Sequence, residues 1–214
     1  MIVNERIVAY INSLDRGNSP ICNTIEKEAI EDDVPIIRKE MGNLLKVLLE
    51  LKQPQSILEV GTAVGYSSIL MSENMPEKCT ITTIENYDKR IPIARNNFKR
   101  AGKEDCIRLI EGDAMEVLKE LEGPYDFIFM DAAKGQYIHF LPDILRLLEP
   151  GGLLVSDNIL QDGDIVESKY AVTRRTRTIH NRMREYLYAL THHEELETVI
   201  LPAADGVTLS TKKM

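Results

Sequence analysis

Apolar residues along this chain change their spacing near residue 55. Upstream they recur at helical intervals, first Ile2, Ile7, Ile11 and Leu14, then Met41, Leu44, Leu45, Leu48 and Leu51. Pro35 and the stretch from Gly17 to Pro20 interrupt them. Downstream, short apolar runs alternate with helical segments. The runs predict strands over Ser56–Val60, Thr80–Ile84, Ile107–Ile110, Asp126–Met130 and Leu153–Ser156. Helices are predicted between them over Ser67–Asn74, Asp88–Ala101, Ala114–Leu121 and Tyr137–Leu148. Nearly continuous apolar strands separated by helices imply a parallel sheet covered on both faces. A long helix is expected at about Ala171–Leu190, then two strands, Glu197–Leu201 and Val207–Thr211. Pro202-Ala-Ala-Asp-Gly206 is too short a link for a crossover, so these two must pair antiparallel. The pattern describes an α/β chain with one domain over 1–214, a helical extension over 1–52 and an α/β core over 53–214.

Composition narrows the classes. A chain of 214 residues, 43% of them hydrophobic, is large enough for one sizeable core. No apolar run approaches the roughly 18 residues of a membrane span, and Met1-Ile-Val-Asn-Glu-Arg6 lacks a signal pattern. Cys22, Cys79 and Cys106 are odd in number and not spaced for a metal, which suits reduced thiols in a cytoplasmic protein.

The stretch Ile57-Leu-Glu-Val-Gly-Thr-Ala-Val-Gly-Tyr-Ser67 reads as strand, glycine-bearing turn and helix start. Gly61 and Gly65 allow close approach of a ligand to backbone, and Ser67 is placed to cap the helix. Glu85 ends the next strand, where a carboxylate can accept hydrogen bonds from ribose hydroxyls. The glycine spacing lacks the third glycine of a dinucleotide fingerprint, so a cofactor with ribose but no phosphate fits better. An ordinary βα turn with a surface glutamate is the plain alternative. Asp113, in Gly112-Asp113-Ala114, suits either an adenine amino group or a helix cap.

Two aspartates lie where parallel strands run out. Asp131 follows Tyr125-Asp-Phe-Ile-Phe-Met130, and Asp157, with Asn158 beside it, follows Gly152-Leu-Leu-Val-Ser156. Ligands of open α/β sheets bind at those strand ends. Two carboxylates, an amide oxygen and the nearby Lys134 suggest a hard cation, such as Mg²⁺, with a base beside it. Tyr137 is placed either against a cofactor or in the core, and Asp205-Gly206 reads as turn chemistry.

Taken in order, Glu59-Val-Gly-Thr-x-x-Gly-Tyr-Ser67, Glu85, Gly112-Asp113-Ala114, Asp131-Ala-x-Lys134-x-x-Tyr137, Asp157-Asn158-x-Leu-x-x-Gly163 and Pro202-x-x-Asp-Gly206 resemble the cation-dependent O-methyltransferases related to catechol and caffeoyl-CoA methyltransferases. The resemblance covers about residues 35–212. It implies a class I methyltransferase fold, a Rossmann-like seven-stranded sheet with the last strand antiparallel. It implies S-adenosylmethionine (SAM) as cofactor, with Ile37, Glu59, Gly61, Tyr66, Ser67, Glu85, Asp113, Ala114 and Asp131 around it. Asp131, Asp157 and Asn158 would then hold the metal, and Lys134 would be the general base. A cation there needs two adjacent oxygens on the acceptor, which catechols and 5-hydroxyuridine both carry. Within the group the chain looks most like the bacterial tRNA 5-hydroxyuridine methyltransferases, through Val34-Pro-Ile36, Asp131-Ala-Ala-Lys-Gly-Gln-Tyr137 and the short N-terminus. A homodimer is implied as well.

The net charge of −8 argues mildly against nucleic acid, yet Ser168 to Arg184 contains no acid. That stretch carries Lys169, Arg174, Arg175, Arg177, Arg182 and Arg184. Arginines suit bidentate phosphate contacts and stacking on exposed bases, so Arg174, Arg175, Arg177, Arg182 and Arg184 are candidate tRNA contacts. A solvated helix face is the plain reading, and a phosphorylated small acceptor such as a CoA ester also suits these cations. Two rival classes remain, a nicotinamide dehydrogenase and a SAM-binding module without catalysis.

Overall fold

The computed structural model describes residues 3–214, so Ile2 lies outside the described residues. Seven strands form one sheet in the order β3-β2-β1-β4-β5-β7-β6. They are β1 (Ser56–Val60), β2 (Thr80–Glu85), β3 (Ile107–Glu111), β4 (Tyr125–Met130), β5 (Leu148–Ser156), β6 (Leu196–Leu201) and β7 (Val207–Lys212). Strands β1 to β5 pair in parallel, and β7 runs antiparallel to both β5 and β6. Chain order reverses between β1 and β4, which opens a crevice beyond their carboxyl ends.

The helices are α1 (Glu5–Ser13), α2 (Pro20–Glu31), α3 (Lys39–Lys52), α4 (Tyr66–Asn74), α5 (Ile91–Arg100), α6 (Ala114–Glu120), α7 (Tyr137–Leu147) and α8 (Arg177–His192). Two short 3₁₀ segments, Lys134–Gln136 and Gln161–Val166, lie at the crevice. Successive residues of β4 face opposite ways, as the period of a strand demands. Phe127 and Phe129 join a core with Ile57, Ile81 and residues of α2 to α5, while Ile128 and Met130 join one with Leu58, Tyr137, Met183 and Tyr186. Cys22, Met41, Leu45 and Leu49 of the N-terminal helices belong to the first of these cores. In contrast α1 buries none of its residues, and Ile7, Tyr10, Ile11 and Leu14 stay exposed.

The sheet matches the expected class, with three local departures. Strand β5 begins at Leu148 instead of Leu153: Leu148 pairs with Tyr125 and Leu153 with Phe127, and the extra residues of β5 between them, Pro150-Gly-Gly152 included, bulge out of the pairing. Helix α5 starts at Ile91, because the chain at Tyr87 first makes a turn in which Arg90 N donates to Tyr87 O. Helix α8 starts at Arg177 and not near Ala171. There Thr176 donates both its amide and its hydroxyl to Thr173 O, a local bond that competes with helix. Arg174 and Arg175 therefore lie on a loop before the helix, whereas Arg177, Arg182 and Arg184 lie on it.

Candidate active site

The crevice is a cleft of about 560 Å³ at the ends of β1, β2, β3 and β4. Ile37, Gly61, Tyr66, Ser67, Glu85, Asp113, Ala114 and Asp131 all line it. Gly61 has φ +105°, and a Cβ there would collide with the carbonyl of Asp131, so the turn after β1 needs glycine for a close approach of two chains. Glu85 is held still by backbone donors: Ala63 N to Oε2 at 2.7 Å, and Asn86 N and Tyr87 N to Oε1 at 3.0 and 2.9 Å. A carboxylate offers about four acceptor positions, so this one retains capacity for a ligand hydroxyl. Asp113 caps α6 through Oδ1, which accepts from Met115 N at 2.8 Å, and it also borders the cleft.

Glu59 departs from the expected placement. It is wholly buried and does not line the cleft. Its carboxylate accepts from the hydroxyls of Ser67, Ser68 and Thr83, tying the start of α4 to β1 and β2 beneath the ligand floor. Burial pushes its pKa up to about 7 against those three donors, with a smaller push from the charge of Asp131. Ser67 does not cap α4: Gly65 precedes the helix with φ +83°, and the Ser67 hydroxyl goes to Glu59 instead.

Asp131, Lys134, Asp157 and Asn158 meet at the ends of β4 and β5. Lys134 Nζ lies 3.2 Å from Asp131 Oδ1 and 2.7 Å from Asn158 Oδ1. Asp157 is 1% exposed, and its Oδ1 accepts from Asn158 N at 2.7 Å. Asn158 sits at φ +56°, a left-handed conformation that asparagine tolerates better than most residues. Burial first and the negative Asp131 second push the Asp157 carboxyl up to about 7. An amine bridging two of these oxygens, and a buried acid whose proton affinity is raised by the carboxylate beside it, mark a place that attracts positive charge. Among the described residues no group of three or more His, Cys, Asp or Glu forms a metal cluster. The donors here are two carboxylates and an amide, which fit a hard cation that keeps water or ligand oxygens for its remaining positions.

Tyr137 belongs to the core. It is 0% exposed, its hydroxyl donates to the carbonyls of Met130 (3.0 Å) and Asp157 (3.3 Å), and it accepts from Ala132 N. It thereby clamps together the two strand ends that carry the acids.

A second cavity of about 480 Å³ adjoins the first and shares Ala133, Lys134, Gln136 and Asn158 with it. Val172, Ile179, His180, Arg182 and Asp205 complete its walls. Asp205 is more than turn chemistry: it is buried, and its Oδ1 accepts from Asp162 N at 2.5 Å. Arg38, at the mouth of the first cleft, reaches Asp162 at 3.4 Å. No motif announced Val172, Ile179 or His180, because only folding brings them beside Lys134. Of the arginines, Arg174 and Arg175 are exposed, Arg182 donates to Gly135 O and Arg184 to Glu167 O.

A SAM-type cleft at the switch point of a seven-stranded sheet, with an acid pair at its lip, defines a class I methyltransferase. The model of a family described as O-methyltransferase matches residues 16–213. Catechol O-methyltransferase of Niastella koreensis is 36% identical over 168 residues, 77% of this chain and 70% of that protein. Caffeoyl-CoA O-methyltransferase 2 of Populus trichocarpa is 33% identical over 179 residues, 78% of this chain and 71% of that protein. Among solved structures, a candidate caffeoyl-CoA O-methyltransferase from Staphylococcus aureus superposes with a TM-score of 0.89 at 30% identity, covering 98% of this chain and all of the other. PaMTH1 of Podospora anserina, solved with SAH bound, gives 0.87 at 27% identity, covering 98% and 95%. The chain belongs to the O-methyltransferase family, and it is a SAM-dependent enzyme. The dehydrogenase reading falls with that result. Among the described residues no helix is long and apolar enough to cross a membrane.

Proposed function

We propose that this enzyme methylates a hydroxyl whose neighbouring atom carries a second oxygen, with a divalent cation held at Asp131, Asp157 and Asn158. The observation that carries this reading is the bridging of Asp131 and Asn158 by Lys134 Nζ, a base set beside a cation-attracting lip. When bound, such a cation makes an adjacent hydroxyl more acidic, and SAM supplies an electrophilic methyl. The chain's own residues do the rest. Glu85 and the Gly61 turn hold the donor, Asn158 and Asp131 aim the acceptor oxygens, and Lys134 Nζ takes the hydroxyl proton. A C–O bond forms as the methyl–sulfur bond breaks, leaving a neutral thioether.

We infer that the acceptor is a polyanion, and first of all the 5-hydroxyuridine of a tRNA. Support comes from the stretch between Val172 and Thr176, two residues that line the second cavity, since Arg174 and Arg175 on it are exposed and no acid occurs from Ser168 to Arg184. A neutral catechol has no use for such a field, whereas an RNA backbone does. The second reading is a small catechol-like or CoA-linked molecule. The names of the relatives support it, and the cavity's size suits a single aromatic ring. Nucleoside mass spectrometry of tRNA from a deletion strain separates the two. Accumulated 5-hydroxyuridine with loss of 5-methoxyuridine supports the first; unaltered tRNA together with turnover of catechols by the purified enzyme establishes the second.

A further inference from the structure

Between the segment Gln161–Val166 and α8 the chain makes a loop fastened at two points. Ile165 is 7% exposed and Val172 is 6% exposed, and Val172 lines the second cavity. Between those anchors the side chains turn outward. Tyr170 is 74% exposed, an unusual place for a large aromatic ring beside a ligand cavity. It is also surrounded by positive charge. Lys169 Nζ stands 5.2 Å from the ring centroid and Arg177 Cζ 5.9 Å from it. Arg174 and Arg175 follow on the same loop, with no acid anywhere from Ser168 to Arg184. A π-face set among cations is the combination that single-stranded nucleic acid requires, since the ring takes a base and the cations take its phosphates. An acceptor confined to a 480 Å³ cavity would not reach these outward side chains.

We propose that Tyr170 is a stacking platform for the base next to the methylated nucleotide, with Lys169, Arg174 and Arg175 holding the flanking phosphates. This rests on the RNA reading given above. The platform grips a neighbour while the target base, turned out of its stack, enters the cavity beside Lys134. Exposed stacking is tolerant of sequence, so the platform adds affinity without choosing the neighbouring base.

The test uses the full-length enzyme and a stem-loop RNA carrying 5-hydroxyuridine in its loop, with Tyr170→Ala, Tyr170→Trp and the pair Arg174→Ala and Arg175→Ala. Tyr170→Ala is expected to raise the KM for RNA about tenfold or more. The kcat, the KM for SAM and the melting temperature should stay at the parental values, and Tyr170→Trp should restore binding. The salt dependence of RNA binding should keep its slope in Tyr170→Ala, while each arginine change lowers it by about 1. An unchanged RNA KM in Tyr170→Ala, with the parent enzyme active on that RNA, overturns the platform alone. So does a rise in the KM for both RNA and SAM, which marks structural damage instead. A parent enzyme that neither binds nor methylates RNA overturns the platform together with the acceptor reading beneath it.

Discussion

The two cavities of this enzyme are built in contrasting ways. In the donor cleft, chemistry-bearing groups are fixed by backbone. Three amides hold Glu85, a helix start holds Asp113, and Gly61 brings two strand ends within contact. In the acceptor cavity one wall is helix α8, through Ile179, His180 and Arg182, and much of the rest comes from connecting segments. Val172 and Asp205 sit on connecting segments, and Gln161, Asp162 and Gly163 all adopt left-handed conformations in succession. One side is a rigid mould for a constant cofactor. The other is framed in part by connecting segments that short-range rules do not dictate, and its sequence carries correspondingly less information.

The acid lip lies between the two, and altering it gives the largest expected effect. Asp157→Asn or Lys134→Met should lower kcat by about a thousandfold or more, within the range that removal of a general base or charge-stabilising group produces. Calorimetry should find S-adenosylhomocysteine affinity nearly unchanged, since neither side chain fixes the donor. If affinity falls in step with kcat, the two cavities are not separable. EDTA should abolish turnover in the parent enzyme, and added Mg²⁺ should restore it.

Next in size is Gly61→Ala. The new Cβ meets the Asp131 carbonyl at a backbone φ that disfavours it, so cofactor affinity and melting temperature should both fall. An equivalent change on the acceptor side, Val172→Ala, should cost only a core truncation and leave cofactor affinity intact.

A subtler break concerns Glu59. Its folded pKa, about 7, lies above its ordinary value of 4.5, so the folded chain binds more protons than the unfolded chain between those values. Stability from this group is therefore fully present below about pH 4.5 and is lost as pH rises toward 7. Glu59→Gln should flatten that part of the melting-temperature profile. A variant profile parallel to the parent's would show that Glu59 titrates normally. The smallest effect is expected for Arg38→Ala, which cuts the ion pair from the mouth of the first cleft to Asp162, at 3.4 Å and half in solvent. Stability should change by less than about 1 kcal/mol.

Legibility in the sequence follows the same division. Strand β1, the glycine turn, Glu85 and the two strand-end acids were readable because short-range rules dictate them: apolar runs, a turn that needs glycine, polar residues where strands stop. Glu59 was misplaced because a motif states which residues travel together, not which way a side chain in a strand points. The start of α8 was misread because charge and length suggested helix while two threonine hydroxyls closed a local turn. His180 and Ile179 were invisible as wall residues, since nothing local distinguishes them from any helix face.

The Tyr137 hydroxyl gives this division a practical meaning. By bonding both Met130 O and Asp157 O it ties down the carbonyl at the end of β4 and the residue that carries the second acid, independently of the loops beyond. Exchanging the segment between Gln161 and Thr176 for that of a relative should then retune which acceptor is admitted while the methylation engine keeps its alignment. The enzyme is in that sense a chassis with a replaceable front end, and a single phenol is the bolt between them.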